Sequence, residues 1–438
     1  MTPALRTFGL AFTLSGILIL GWSPVSAAHP TIGPDGKVPS DTIPTTLPST
    51  TAEAEDVASV IALERRPWSA LAAVALAFPT GFASEPDRLE GGARLLAGAL
   101  ETEGNRRLQA EGAEVRIALE RDRTVVTLLT PHSSWHASLE ALESLLFRLP
   151  VSNSALEDAR ASMLERLAFE EGAPVRSFEL EKWRMLVGAT HPGARVPEGS
   201  AEAVRARTAD NLEEFRTGIF DRSAARAAIV GPLSREDIPP WLESMAMRGE
   251  PAPASALEPA WATEDRQVVD RDVTNTWIAM AFPAPPDASR TMLEFLSHIL
   301  LERLAPTPPD PGLLSVDVRV EELPDGPVIL VRLAVDPRTT DRWERRVRET
   351  LTTVIETEEQ AAFFQLRRRR FRSEVLHRLS YLDQEAERLA LDLFHGDGVR
   401  DLEGEIWSFS SRSLRDAAGR LGPPRTLLYG PARMFEGL

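Results

Sequence analysis

The sequence predicts an α+β protein built from two tandem duplicated domains, each an antiparallel sheet with helices packed on one face. Two recurrences and the elements between them carry this reading. Val74-Ala-Leu-Ala-Phe-Pro79 returns as Ile278-Ala-Met-Ala-Phe-Pro283, and Ile229-Val-Gly-Pro232 returns as Leu428-Tyr-Gly-Pro431. Both separations are about 200 residues, and two landmarks sharing one offset mark an internal repeat. Between the landmarks each half carries a helix, a hairpin and further long helices.

Taken in order, the chain of 438 residues opens with Arg6, an apolar run from Phe8 to Leu20 and small residues at Val25-Ser26-Ala27. That pattern predicts a secretory signal peptide over residues 1–27, with an uncleaved N-terminal anchor as the alternative reading. Residues 28–52 are rich in Pro, Thr and Ser with little to bury, the composition of a disordered linker. An N-terminal domain is expected over 53–238, a proline-rich linker over 239–266 and a C-terminal domain over 267–438. There is no cysteine, which excludes disulfides, a thiol nucleophile and a lipid anchor on cysteine. Export without cysteine points to a bacterial periplasmic or secreted location. The net charge of −16 argues against nucleic acid as partner, since a phosphate backbone calls for a concentrated basic face.

Ala72 to Phe78, an apolar run ending at Pro79, reads as a buried strand. Ser84 to Leu100 reads as a helix with Ser84 as cap, Asp87 completing a capping box and Pro86 in the first turn. Gly91, Gly92, Ala93, Ala97, Gly98 and Ala99 make it a helix of small residues, which another backbone can approach closely. Glu114 to Leu119 and Thr124 to Leu129 flank a polar corner and predict a hairpin. Helices follow over Ala137 to Leu149, from a Ser154-Ala-Leu-Glu157 capping box to about Glu171, and over Leu212 to Phe220; Ala227 to Val230 is a strand. The second half offers a helix from Ser289 to Leu304, a hairpin through Pro324-Asp325-Gly326, and helices from Asp341 to Ile355 and from Glu358 to about His395.

Other chemistries leave little trace. No Gly-x-Ser-x-Gly elbow and no phosphate-cradling glycine loop is present. His132 and His136 are the one histidine pair at helical spacing, but a cap at Ser133 or Ser134 would leave His132 outside the helix and off its face. The run Leu366-Arg-Arg-Arg-Arg-Phe-Arg372 reads as a solvated helix face.

The layout resembles the pitrilysin/insulinase family of zinc metallopeptidases, the inverzincins, with relatives among the mitochondrial processing peptidase and cytochrome bc1 core subunits. The resemblance spans about Asp56 to Met434. It rests on Thr190-His-Pro-Gly-Ala-Arg with Glu198-Gly-Ser, on Thr208-Ala-Asp-Asn-Leu-Glu-Glu-Phe215, on Ala228-Ile-Val-Gly-Pro232, and on Gly104 and Gly112-Ala113 before the hairpin. It implies a metallopeptidase-like α/β roll with a zinc motif H-x-x-E-H on the first helix and a distal glutamate as third ligand. Aligned through Gly92-Ala93, those positions hold Arg94, Ala97 and Gly98, and the distal ligand falls on Arg166, with Glu165 one register away. Arginine has no lone pair to offer a metal. The family's second domain supplies an arginine and a tyrosine to the substrate carbonyl. Arg303 matches the arginine, whereas Tyr381 and Tyr429, the only tyrosines, lie too far downstream, and a proline-rich loop from Pro306 to Pro311 replaces the segment.

The resemblance therefore implies a catalytically inactive member without a cofactor, zinc being expected only in an active paralogue. The expected partners are that paralogue, or a second copy of the chain, and unfolded peptide, with no nucleic acid and no membrane after signal cleavage. A divergent active metalloendopeptidase and a scaffold or assembly module remain the alternatives.

Overall fold

A computed structural model describes residues 54–246 and 266–435, apart from positions 59, 306, 307, 309, 324, 325 and 397. The expected signal peptide, the linker over 28–52, the Pro324-Asp325 turn and most of the Pro306 to Pro311 loop lie outside the described residues.

The first half comprises β1 (Ala54–Ala58), β2 (Ile61–Arg65), β3 (Leu71–Phe78), α1 (Gly92–Leu108), β4 (Glu114–Leu119), β5 (Thr124–Pro131), α2 (Trp135–Phe147), α3 (Asn153–Glu170), α4 (Pro174–Val187), α5 (Ala201–Ala206), α6 (Ala209–Ile219), β6 (Arg226–Gly231) and α7 (Pro240–Ala246). The second comprises β7 (Arg266–Asp270), β8 (Thr276–Pro283), α8 (Arg290–Leu304), β9 (Leu313–Leu323), β10 (Gly326–Val335), α9 (Thr340–Glu356), α10 (Ala361–Leu379), α11 (Leu382–His395), α12 (Leu402–Ser408), α13 (Ser411–Gly419) and β11 (Arg425–Gly430). One sheet runs β1-β2-β6-β3-β5-β4 and the other β7-β11-β8-β10-β9, the same order with one extra edge strand in the first. The fold is the α+β duplication read from the repeat.

The landmarks turn out to be neighbours at the centre of each sheet. Val74 pairs with Ile229 and Ile278 with Leu428, so both copies share one register. Each sheet also contains one parallel pair, β2 with β6 and β7 with β11, where a wholly antiparallel sheet was expected. The cause is topological: β6 returns after the helices and inserts between β2 and β3, antiparallel to one and parallel to the other.

Period-two alternation divides the strand residues between two cores. Val74, Leu76 and Phe78 face the half's own helices, packing with Leu96, Leu100 and Leu142. Ala73, Ala75 and Ala77 point the other way, where Ala386, Leu389, Ala390 and Leu393 of α11 cover them. The second sheet repeats the scheme, with Ile278, Met280 and Phe282 toward its own helices and Ala279 and Ala281 toward Phe178, Trp183 and Met185 of α4. Each half thus covers one face of its own sheet and lends a helix to the other face of its neighbour.

Several boundaries differ from expectation. The helix expected from Glu358 to His395 is two helices, broken at Ser380-Tyr381. Arg66, from the first half, donates to the carbonyls of Leu379 (3.0 Å) and Ser380 (3.3 Å), satisfying the end of α10 and leaving α11 free to cross to the first sheet. The cap of α3 is Ser152, which accepts from the Ala155 N–H at 3.2 Å, rather than Ser154. Within the stretch read as a linker, Pro240 opens α7, and residues 247–265 lie outside the described residues. The arginine run of α10 forms a spine more than a solvated face. Arg367 binds Glu302 on α8 (3.0 and 3.2 Å), and Arg368 donates to the carbonyls of Trp407 (2.7 Å) and Phe409 (2.9 Å).

At the seam under α11, Glu385 is hydrogen-bonded to Glu64 of β2 and to Arg388, and burial lifts its carboxyl to about 7. Because this value is raised above the unfolded one, protonated Glu385 contributes stability that is fully present at low pH and is lost as pH rises through neutrality. Stability measured by urea unfolding should fall between about pH 5 and pH 8, and Glu385→Gln should flatten part of that dependence. An unchanged pH profile in the variant contradicts this assignment.

Candidate functional site

The site is assembled around the first turn of α1. This helix begins at Gly92, not at the expected Ser84; Phe82–Ser84 and Asp87–Leu89 are single 3-10 turns. Gly91 precedes it at φ +79, and a Cβ there would lie 2.5 Å from the Glu198 carbonyl oxygen, so only glycine fits. Neither glycine can cap the helix with a side chain. Glu85 does so from outside, its carboxylate accepting from the N–H groups of Gly91 (2.9 Å) and Ala93 (2.7 Å). Burial raises the Glu85 carboxyl to about 7, against the lowering effect of these N–H bonds and of Arg207.

The segment after α4 closes over this turn. His191 accepts from the Gly193 N–H at 2.9 Å through Nδ1, and Arg121 donates to the Gly193 carbonyl at 2.8 Å while stacking on Trp183. Arg195 donates to the Glu85 carbonyl at 2.9 Å. These bonds fix the Thr190 to Ser200 loop against the start of α1.

Of the positions singled out from the sequence, Arg94 and Arg166 are brought together. Burial, and then Arg166, lower the Arg94 guanidinium from its usual range; Glu198 and Glu101 act in the opposite direction. Nε of Arg166 is buried with no hydrogen-bond partner, and among the described residues neither guanidinium forms a hydrogen bond or ion pair. Ala97 is buried, and Gly98 lies against Ala159 of α3, whose Cβ would sit 3.6 Å from a Cβ at Gly98. The small residues of α1 thus serve the close approach expected of them. Arg303 lies in the other half, on the last turn of α8, with Glu359 at 3.7 Å. Asp310, at the end of the proline-rich loop, is held by Arg342 at 2.8 Å. His132 falls in a 3-10 turn ahead of α2 and His136 within the helix; Ser134 stands at the cap position but its side chain makes no capping bond.

Two features escaped the sequence reading. Glu85 reaches across six and eight residues to its N–H partners, and the only local clue was a paired glycine with no capping side chain beside it. Lys182, one of two lysines in the chain, is fully buried on α4 and paired with Glu179, and burial lowers its ammonium to about 8. Its place on an apolar helix surface gave no sign of that pairing.

No protein-family model and no curated protein matches the chain. Solved structures do. A peptidase M16 inactive domain from Pseudomonas fluorescens superposes with TM-score 0.73 at 16% identity, covering 85% of this chain and 95% of that one. A chain of complex III2 from Candida albicans gives TM-score 0.66 at 12% identity over 85% and 95%. The periplasmic protease PqqL from Escherichia coli gives 0.67 at 11% over 85% of this chain, which spans 44% of that longer one. At these identities the likeness establishes the fold: a pitrilysin-like, M16-type two-domain architecture.

The zinc that the sequence resemblance implies for active members does not suit these residues. In the alignment through Gly92-Ala93, two permanent cations fall at ligand positions and neither offers a lone pair. Among the described residues no group of three or more His, Cys, Asp or Glu is placed to hold a metal ion. Glu85, the carboxyl that caps the helix start, is committed to backbone N–H groups.

Two variants test this description. Glu85→Ala strips a buried cap and should cost about 2–3 kcal/mol in chemical unfolding. Arg94→Leu removes one of two facing guanidinium groups and should raise stability by about 1 kcal/mol. A destabilised Arg94→Leu would show that Arg94 has a partner in the folded chain.

Proposed function

We propose that the chain is a catalytically inactive pitrilysin-like protein, exported from the cell, that pairs with an active zinc-peptidase paralogue and helps to bind extended peptide substrate. One observation supports inactivity above the rest: a pair of arginines at the motif positions of an otherwise complete fold. With Arg94, Ala97 and Gly98 at its positions, the motif supplies neither a base to activate water nor a ligand to hold the metal. Peptide would add as a strand to a sheet edge, the mode in which main-chain hydrogen bonds give affinity without sequence-specific chemistry. Arg303 is proposed as a secondary contact for peptide. No helix among the described residues is long and apolar enough to cross a membrane.

The purified full chain should hold well below stoichiometric zinc and show no chelator-sensitive peptide cleavage. Mixing it with a paralogue that carries an intact H-x-x-E-H should give a stable complex whose cleavage exceeds that of the paralogue alone. Stoichiometric zinc with cleavage by the chain alone overturns the reading, and a failure to associate favours the scaffold alternative, for which the likeness to a complex III2 chain is the supporting observation.

A further inference from the structure

We propose that Arg94 and Arg166 form a carboxylate-binding site in place of a metal site, and that the carboxylate is an acidic side chain of a bound extended peptide. The second part rests on the peptide-binding reading above; the first does not.

The geometry comes from the packing of α1 on α3. The two helices run antiparallel: Gly98 lies against Ala159, and further along α1 Glu103 accepts from the Ser152 hydroxyl at 2.9 Å while Arg106 meets Asp158 at 3.1 Å. Moving one turn back from Gly98 to Arg94 therefore moves one turn forward from Ala159, to Met163; Arg166 stands one turn beyond on the same face of α3, and because side chains lean toward the N-terminus of their own helix, Arg94 and Arg166 lean toward one another. Ala97 and Gly98, one turn further along α1, carry little bulk and let the two helices approach closely. Both side chains are half-buried, so they have lost part of their hydration yet remain reachable.

Their lack of partners sets them apart in this chain. Other half-buried arginines are engaged: Arg332 with Asp317 at 2.9 Å, Arg388 with Glu385 at 3.0 Å, Arg400 with Asp392 at 2.9 Å. Arg166 repels the Arg94 guanidinium, Glu198 and Glu101 offset this in part without bonding to it, and a bound anion that accepts from both guanidinium groups relieves the remainder. Charge favours a monoanion. Glu101 and Glu198 act on Arg94 from nearby, so the four groups are neutral together; a carboxylate leaves one net negative charge and a phosphate dianion two.

The test uses the full chain, wild type and the double variant Arg94→Gln/Arg166→Gln. Sodium acetate, compared with sodium chloride at equal ionic strength, should raise the melting temperature of the wild type by about 2–4 °C and leave the variant unmoved. A fluorescent Val/Thr-rich peptide with a central Glu should bind the wild type about tenfold more tightly than its Gln counterpart, an advantage the variant should lose. Repeating this with free and amidated C-termini separates a side-chain carboxylate from a chain-end one; a preference for the free end would overturn the side-chain assignment. An acetate response that is absent, or equal in both proteins, overturns the carboxylate site. Selective acetate stabilisation without binding of either peptide leaves the site standing and overturns its peptide carrier together with the peptide-binding reading. Equal binding of the Glu and Gln peptides overturns the acidic-peptide assignment alone.

Discussion

Each sheet in this protein is apolar on both faces, while each half of the chain supplies a full helical layer for only one. That mismatch is the constraint on which the architecture depends. It is resolved by exchange: α4 leaves the first half to lie on the second sheet, and α11 leaves the second half to lie on the first. The alanines of β3 and β6 beneath α11, and of β8 beneath α4, keep the exchanged helices close to the strands. The resulting burial is large enough that deleting one central contact, such as Leu389, falls in the range of about 2–5 kcal/mol known for buried leucines. Ala52–Leu438 is accordingly one compact unit.

Much of this was legible in the chain. The repeated pentads are the paired central strands themselves, and their alternation of large and small apolar residues already encodes two faces with different neighbours. A strand with no polar parity has both faces buried, so a one-sided helical layer leaves a face to be accounted for. What local sequence does not carry is which helix covers it. The break at Ser380-Tyr381 has no proline or glycine to announce it; its carbonyls are satisfied by Arg66, more than three hundred residues away along the chain. The true start of α1 was hidden in the same way, because its cap is the remote Glu85 and not Ser84. Tertiary partners override local capping signals at both points.

At the site, the legible part was the identity of the residues and the illegible part their company. Alignment through Gly92-Ala93 put Arg94 and Arg166 at positions where ligands would stand. The fold adds that Arg166 acts on Arg94 from nearby and that, among the described residues, neither guanidinium is hydrogen-bonded or ion-paired, whereas the other half-buried arginines are engaged. Such a local violation, kept within an otherwise consistent structure, is the kind of feature that binding relieves. The helix thereby changes its electrostatic character while its backbone stays that of a pitrilysin-like motif helix, pinned by Gly91, Glu85 and the His191 loop.

Exchanged helices join the two halves, and a carboxylate cap fixes the start of α1. Hydrogen-exchange mass spectrometry on the full chain, with and without zinc, measures this directly. Amides of α11 should share the protection of β3 and β6 and exceed those of α10, and α1 and α3 should exchange identically in both conditions. Protection of α1 and α3 that rises with zinc, or an α11 that opens independently of the first sheet, would contradict it.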